Sequence, residues 1–382
     1  MRKANLFLLA LLAMVLFACK PDDPYVPSEF SVGHGVFVLN EGNYQNGSSS
    51  LTFYDPEADT VINSLFRKVN YDLTQTLGDV AQSLALVDGQ LYIVVNNSNY
   101  IYKMDANTIR IDTTKPFMLT DFYSPREMHF VSPDKAYVSD LTGTGLWIVN
   151  PQEMTHTGSI EMGKTTEKMV QVGNELYVSN WSYYYINADS HDSYTTVQVV
   201  DMNNDVKVAE IEVGKEPNSM VVDENGHVWV LCEGRAWDED YGEPPTLWEI
   251  DPLLKTAQCR FTFETMVDPE TESETMYAAT NMKADPQGRY LYVIVSEMDY
   301  GTSSNSEVRR FDVETMSFSE SFGIPANGNT FYNIGVDPDS GELYVSCISN
   351  PTANGTVYRY TADGVLLTSF EAGIFPSAML FK

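Results

Sequence analysis

The chain has 382 residues, 43% apolar and 12% aromatic, which is enough to bury a large core. Its 53 acidic residues outweigh 23 basic ones for a formal charge of −30, which argues against a nucleic-acid partner and against docking of the folded part on anionic lipid. Five scattered histidines and four cysteines, with no CxxC and no His pair at i,i+4, carry no zinc pattern.

In chain order, Arg2 and Lys3 precede an apolar run, Ala4 to Ala18, interrupted only by Asn5. The run falls short of the ~20 residues that cross a bilayer core. Behind a basic start it has the pattern of a cleaved export signal. It ends in Leu16-Phe17-Ala18-Cys19, similar to the bacterial lipobox, whose cysteine is acylated. Residues 1–18 are read as a lipoprotein signal peptide and Cys19 as the lipidation site; an ordinary secretory signal with an incidental cysteine is the rival. From Lys20-Pro21-Asp22-Asp23-Pro24 onward, prolines and charges make residues 19–30 an extended tether. No later run has spanning length, so residues 31–382 are expected to fold in water.

One short pattern then recurs: a small or aliphatic residue, an aromatic, and a β-branched residue. It appears as Val36-Phe37-Val38, Leu91-Tyr92-Ile93, Ala136-Tyr137-Val138, Leu176-Tyr177-Val178, Val228-Trp229-Val230, Leu291-Tyr292-Val293 and Leu343-Tyr344-Val345. The runs are rich in strand formers and bounded by turn residues, and a fixed repeat of this kind decides a fold. Each copy after the first follows an apolar strand and a tight turn, as in Met220-Val221-Val222-Asp223-Glu224-Asn225-Gly226. Each precedes a strand ending in a turn former such as Asp105, Asn150, Asp201, Asp251 or Asp312, whose side chain can bond the backbone two residues on.

Seven such units at roughly 40–60 residues imply an all-β fold, a seven-bladed β-propeller of four-stranded blades that closes on itself and so leaves no long edges. The ends agree. Val36 begins at a second strand with no first strand ahead of it. Phe375-Pro376-Ser377-Ala378-Met379 parallels Glu216-Pro217-Asn218-Ser219-Met220, so the C-terminal strand should close the first blade. A β-solenoid or paired sandwiches leave these mismatched ends unexplained. Of the cysteines beyond Cys19, Cys232 and Cys347 lie in apolar strand patterns and read as buried small hydrophobes.

The turns from first to second strand are short. The loops from second to third strand are mostly long: Glu41 to Ser49, Trp181 to Thr196, Glu233 to Thr246 and Glu297 to Glu307. One face is therefore plain and the other elaborated, and long loops on a rigid scaffold are where binding usually resides. Aromatics with polar handles suit a broad ligand with apolar planes and polar edges. The ligand-binding candidates are Glu41, Asn43, Tyr44, Asn97, Tyr123, Arg126, Asp140, Trp181, Tyr183, Trp237, Tyr300 and Tyr332. Tyr92, Tyr137, Tyr177 and Trp229 are expected in the core. No nucleophile elbow, HExxH or phosphate loop is present, and acidic loops such as Asp238-Glu239-Asp240 read as solvated surface. The residues therefore suggest a binding protein with no catalytic set, metal or cofactor.

The strings Gly35-Val36-Phe37-Val38-Leu39-Asn40-Glu41-Gly42-Asn43-Tyr44, Leu51-Thr52-Phe53-Tyr54-Asp55-Pro56, Gly78-Asp79-Val80-Ala81-Gln82-Ser83 and Asn180-Trp181-Ser182-Tyr183 carry a resemblance. The chain resembles the BtuG-type surface lipoproteins of Bacteroidetes, which bind vitamin B12, within the wider YVTN/YncE-like, DUF5074-like propellers. The resemblance implies capture of cobalamin or a related corrinoid on the elaborated face and hand-over to a TonB-dependent outer-membrane transporter. It also implies a lipid-anchored domain on the outer membrane facing the cell exterior, to which the Lys20 and Asp22-Asp23 context after Cys19 is similar. The same face would suit a glycan or protein partner, as in a scaffold or adhesion module; a propeller lyase or hydrolase is the third alternative.

Overall fold

A computed structural model describes residues 30–382 other than 75, 113–116, 119–121, 182–192, 236–237, 239, 241, 268–273 and 300–301. Cys19 and the tether lie outside the described residues. Seven antiparallel sheets follow one another around an axis, six of four strands and one of five. The seven recurring aromatic runs are the second strands of the blades, for example Val36–Asn40, Gln90–Val95 and Val228–Cys232. Their middles are apolar because neighbouring blades cover both of their faces: Tyr137, Tyr177 and Trp229 are fully buried and Tyr92 nearly so. Cys232 and Cys347 are buried in the same layer, whereas Cys259 is exposed.

Turn chemistry repeats with the strands. Asp55, Asp105, Asn150, Asp251 and Asp312 each accept backbone N–H bonds from the residues two and three positions on. Four residues past that position the chain turns left-handed at Asp59, Ile109, Met154, Asp205, Lys255 and Met316, at φ between 49° and 58°.

Closure is as expected from the ends. The strand Pro376–Phe381 pairs with Val36–Asn40, which continues to Ser50–Asp55 and Thr60–Ile62 to complete blade 1. Gly35 and Lys382 exchange two backbone hydrogen bonds of 3.1 and 2.8 Å, and Lys382 Nζ donates to the Val32 carbonyl at 2.6 Å. Val36 lies opposite Phe381 at the plain-face end of the blade, so the segment before Val36 leaves from that face.

One expectation is corrected. Glu297 to Glu307 is not a long loop: the strands Tyr290–Asp299 and Thr302–Asp312 continue through it, with Asp299 opposite Thr302. A bulge between Val295 and Glu297, opposed by Asn305 at φ 46°, lets a polar hairpin project past the blade. Its serines, glutamate and aspartate read as loop because they have no apolar face to bury. Among the described residues, no helix is long and apolar enough to cross a membrane.

Candidate ligand-binding site

The site is built by a repeated irregularity in the innermost strands. In six blades the pairing of first to second strand skips register close to the elaborated face: at Gln82, Arg126, Asn218, Asn281, Tyr332 and Ser377, or within one residue of them. A bulge re-aims the side chain it carries. These six residues, joined by Glu167 just ahead of the strand Met169–Val172, line one central cavity of about 380 Å³. Every blade thus contributes one bulge-level side chain to the mouth of the channel. Beneath them the wall turns apolar, with Leu84, Met169, Met220 and Met379.

The ring is hydrogen-bonded into two groups. Arg126 reaches Glu167 in a bidentate pair of 2.7 and 2.8 Å and donates to Gln82 Oε1 at 2.7 Å. Beside it Lys168 Nζ pairs with Glu127 at 2.9 Å. These carboxylates hold the Lys168 ammonium above its usual range although burial acts the other way. Across the mouth, Tyr332 donates its hydroxyl to Glu41 Oε2 at 2.7 Å, and Asn281 Nδ2 donates to the Tyr332 carbonyl at 2.6 Å. Burial raises the Glu41 carboxyl, and the Tyr332 bond with the Arg126 and Lys168 charges offsets only part of it.

Glu233, at the end of the second strand of blade 5, is a further perturbed acid. It accepts from Asn218 Nδ2 at 2.7 Å and from Trp181 Nε1 at 3.2 Å. Burial, with the Glu216 and Glu167 charges nearby, pushes it up to about 7. The Trp181 ring in turn lies 5.9 Å from the Arg126 guanidinium, so one aromatic links Glu233 to the Arg126 group.

Of the sequence candidates, Glu41, Arg126, Trp181 and Tyr332 come together at this mouth. Tyr44 and Tyr123 stand on the surrounding rim, 65% and 69% exposed. Asn43 sits half-buried in the same loop as Tyr44, its backbone N–H bonded to Ser48 Oγ at 2.8 Å. Asn97 is exposed, and its amide donates to Asp79, which also accepts from the Gln45 N–H and so ties the Asn43–Gly47 loop to the Asn96–Tyr100 turn. Tyr183, Trp237 and Tyr300 lie outside the described residues.

Asp140 is corrected. It is fully buried, and its carboxylate accepts the backbone N–H groups of Tyr123, Ser124, Thr142 and Gly143 and the indole N–H of Trp147, all at 2.9–3.0 Å. With both oxygens engaged it organises two loops, one carrying Tyr123, rather than meeting a ligand.

Sequence reading missed Gln82, Glu127, Glu167, Lys168, Asn218, Glu233, Asn281, Lys283 and Ser377. Their residue types vary from blade to blade; whereas Glu233 follows a second strand, what Gln82, Asn218, Asn281 and Ser377 share is a place at the register skip of the innermost strand. The Pro-x or Ala-x step of Pro125-Arg126, Pro217-Asn218, Pro376-Ser377 and Ala81-Gln82 marks that position in four blades. On the plain face, Asp223, His227 and Glu249 form a trio that could hold a metal ion. Their atoms are already engaged: Asp223 by Trp229 Nε1 at 2.9 Å, and Glu249 by His227 and Arg260 at 2.5 Å each.

The domain of unknown function DUF5074 matches residues 34–382, the whole propeller. No curated protein matches the chain. Among solved structures, a selenium-binding protein described as hypothetical, from Sulfolobus tokodaii, aligns with a TM-score of 0.67 at 10% identity, covering 94% of each chain. A quinonprotein alcohol dehydrogenase-like protein from Bacteroides thetaiotaomicron aligns at 0.62 and 16% identity, over 92% of this chain and 79% of the other. The periplasmic gluconolactonase of Pseudomonas aeruginosa aligns at 0.62 and 12% identity, over 91% and 98%. At these identities the likeness is one of fold.

Proposed function

The chain belongs to the DUF5074 family of β-propellers, and on that premise we propose that it is a capture protein that binds a broad ligand across the mouth of its central channel and performs no chemistry on it. The observation that carries this reading is the seven-membered polar ring at the mouth, with the Trp181 ring beside it and exposed Tyr44 and Tyr123 on the rim. Aromatic planes around a set of amides and charges suit a wide, flat ligand with polar edges. Cobalamin or a related corrinoid has that form, an apolar macrocycle rimmed by amides, and the resemblance to BtuG-type proteins favours it. The cavity of about 380 Å³ is narrow, so a corrin would lie over the mouth rather than within it.

In this proposal Cys19 carries the lipid, the chain is held at the outer membrane facing outward, and a TonB-dependent corrinoid transporter receives the ligand. Calorimetry of the soluble domain from Ser28 onward with cyanocobalamin tests it: saturable heat supports capture, and neither heat nor a thermal shift rejects it. A glycan-array hit in place of corrinoid binding would assign the face to a glycan.

A second reading rests on Glu233. A carboxyl titrating near 7 at a channel mouth is in the range of a general acid or base. Turnover of a lactone or glycoside that is lost in Glu233→Gln would favour a hydrolase.

A further inference from the structure

Three cations line the channel wall, in a chain of net charge −30. Two are neutralised where they stand, Arg126 by Glu167 and Lys168 by Glu127. The third, Lys283, forms no salt bridge among the described residues. It follows the Thr280–Lys283 bulge of blade 6, and its register partner on the second strand is Tyr292, so it sits deeper than the ring residues of the neighbouring blades. Water reaches it along the channel, yet seven strands surround it, and that enclosure together with the Lys168 charge lowers the affinity of its amine for a proton. Met220 and Met282 line the same channel among mostly polar residues. Glu127 offsets part of that lowering, but it is already paired with Lys168, so the Lys283 ammonium has no counter-charge of its own, and a small oxyanion entering from the mouth would supply one.

We infer that the channel is a docking site for an acidic group of the ligand, a carboxylate or a phosphate, seated on the Lys283 ammonium. This rests on the capture reading for its place in function, since the ring above Lys283 is where the rest of the ligand would lie. Donors above it are available to the same group: Gln82 uses its oxygen for Arg126, which leaves its amide N–H₂ facing the channel. The carboxylates that also line the mouth set a filter. Glu127 and Glu167 are held in ion pairs and Glu41 by Tyr332, so a single small anion meets one open positive charge, whereas a polyanion meets the full acidic rim.

The test uses the full chain in detergent with two probes at fixed ionic strength, sodium malonate for a carboxylate source and inorganic phosphate for a phosphate source, against sodium chloride. The expected result is a saturable rise in melting temperature with one of the two probes and none with chloride. That rise should need at least tenfold more probe in Lys283→Met and be kept in Lys283→Arg. No saturable shift with either probe, or equal shifts in wild type and Lys283→Met, overturns the inference; should Lys283→Met fail to fold, Lys283→Gln replaces it. Cyanocobalamin binding is measured in parallel. Malonate or phosphate binding without corrinoid binding leaves this site standing and removes the corrinoid; corrinoid binding with no response to either anion removes the site alone.

Discussion

Tyr332 and Glu41, 291 positions apart in sequence, are joined across the seam between blades 7 and 1 by a hydroxyl-to-carboxylate bond of 2.7 Å. The bond does two things at once. It satisfies a carboxyl that burial has already raised, and it fixes one side of the channel mouth. Tyr332→Phe removes the donor and leaves that oxygen unpaired, at an expected cost of about 1–3 kcal/mol. Urea unfolding of Tyr332→Phe, Glu41→Gln and the double variant checks this; the two losses should not add, because both remove one interaction.

Glu233 sets a pH dependence with a definite sign. Its carboxyl sits at about 7 in the folded protein against an ordinary 4.5, so the folded state binds the proton more tightly than the unfolded state does. Its contribution to stability is complete below about 4.5 and is lost as pH rises through 7. At about 1.4 kcal/mol per pKa unit, discounted for its partial exposure, the loss is on the order of 2 kcal/mol. Unfolding measured at pH 5 and pH 8 should show a fall in wild type that is smaller by that amount in Glu233→Gln.

Trp181 separates binding from folding. Its ring is half-buried, donates to Glu233 and lies beside Arg126. Trp181→Ala should weaken cyanocobalamin binding at least tenfold. The loss of stability should stay below the ~3–5 kcal/mol typical of truncating a buried tryptophan. Calorimetry and urea unfolding on the same sample give both numbers.

Asp140 should behave in the opposite way. In Asp140→Asn one oxygen becomes an N–H₂ that faces backbone or indole donors, and a buried anion with five N–H partners is lost. The expected cost is about 3 kcal/mol or more, read by urea unfolding and by the fluorescence of Trp147.

Met316 offers a gain. It holds φ 54° on the surface, 38% exposed, where a side chain is disfavoured. Met316→Gly should relieve more strain than it adds in unfolded-state freedom, for a net gain of about 0.5–1 kcal/mol. Met316→Val, β-branched in the same conformation, should lose stability; thermal melts of the pair decide it.

The fold was legible because its strongest constraint repeats. The middle of a second strand, covered on both faces, must be apolar, so Phe37, Tyr92, Tyr137, Tyr177, Trp229, Tyr292 and Tyr344 stand out in sequence. In six blades the turn after the third strand needs a side-chain acceptor for backbone N–H groups, so Asp or Asn recurs there. The site obeyed no such rule. A bulge asks for a position and not for a residue type, so Gln82, Asn218 and Asn281 look like ordinary polar residues until the register shift aims them at one axis. Asp140 misled in the reverse direction: a loop aspartate reads as exposed, and only the convergence of four backbone N–H groups shows why it is buried.

The two hydrogen bonds between Gly35 and Lys382 make the sheet ring a circle cut at one seam. The cut is a matter of chain order rather than of packing. A short linker from residue 382 to residue 35, with new ends opened at the exposed Asp88-Gly89 turn, should therefore yield a circular permutant with the same channel. In that permutant the leader would enter under blade 2 instead of blade 1, and any anchored chain would present its binding face from a different azimuth.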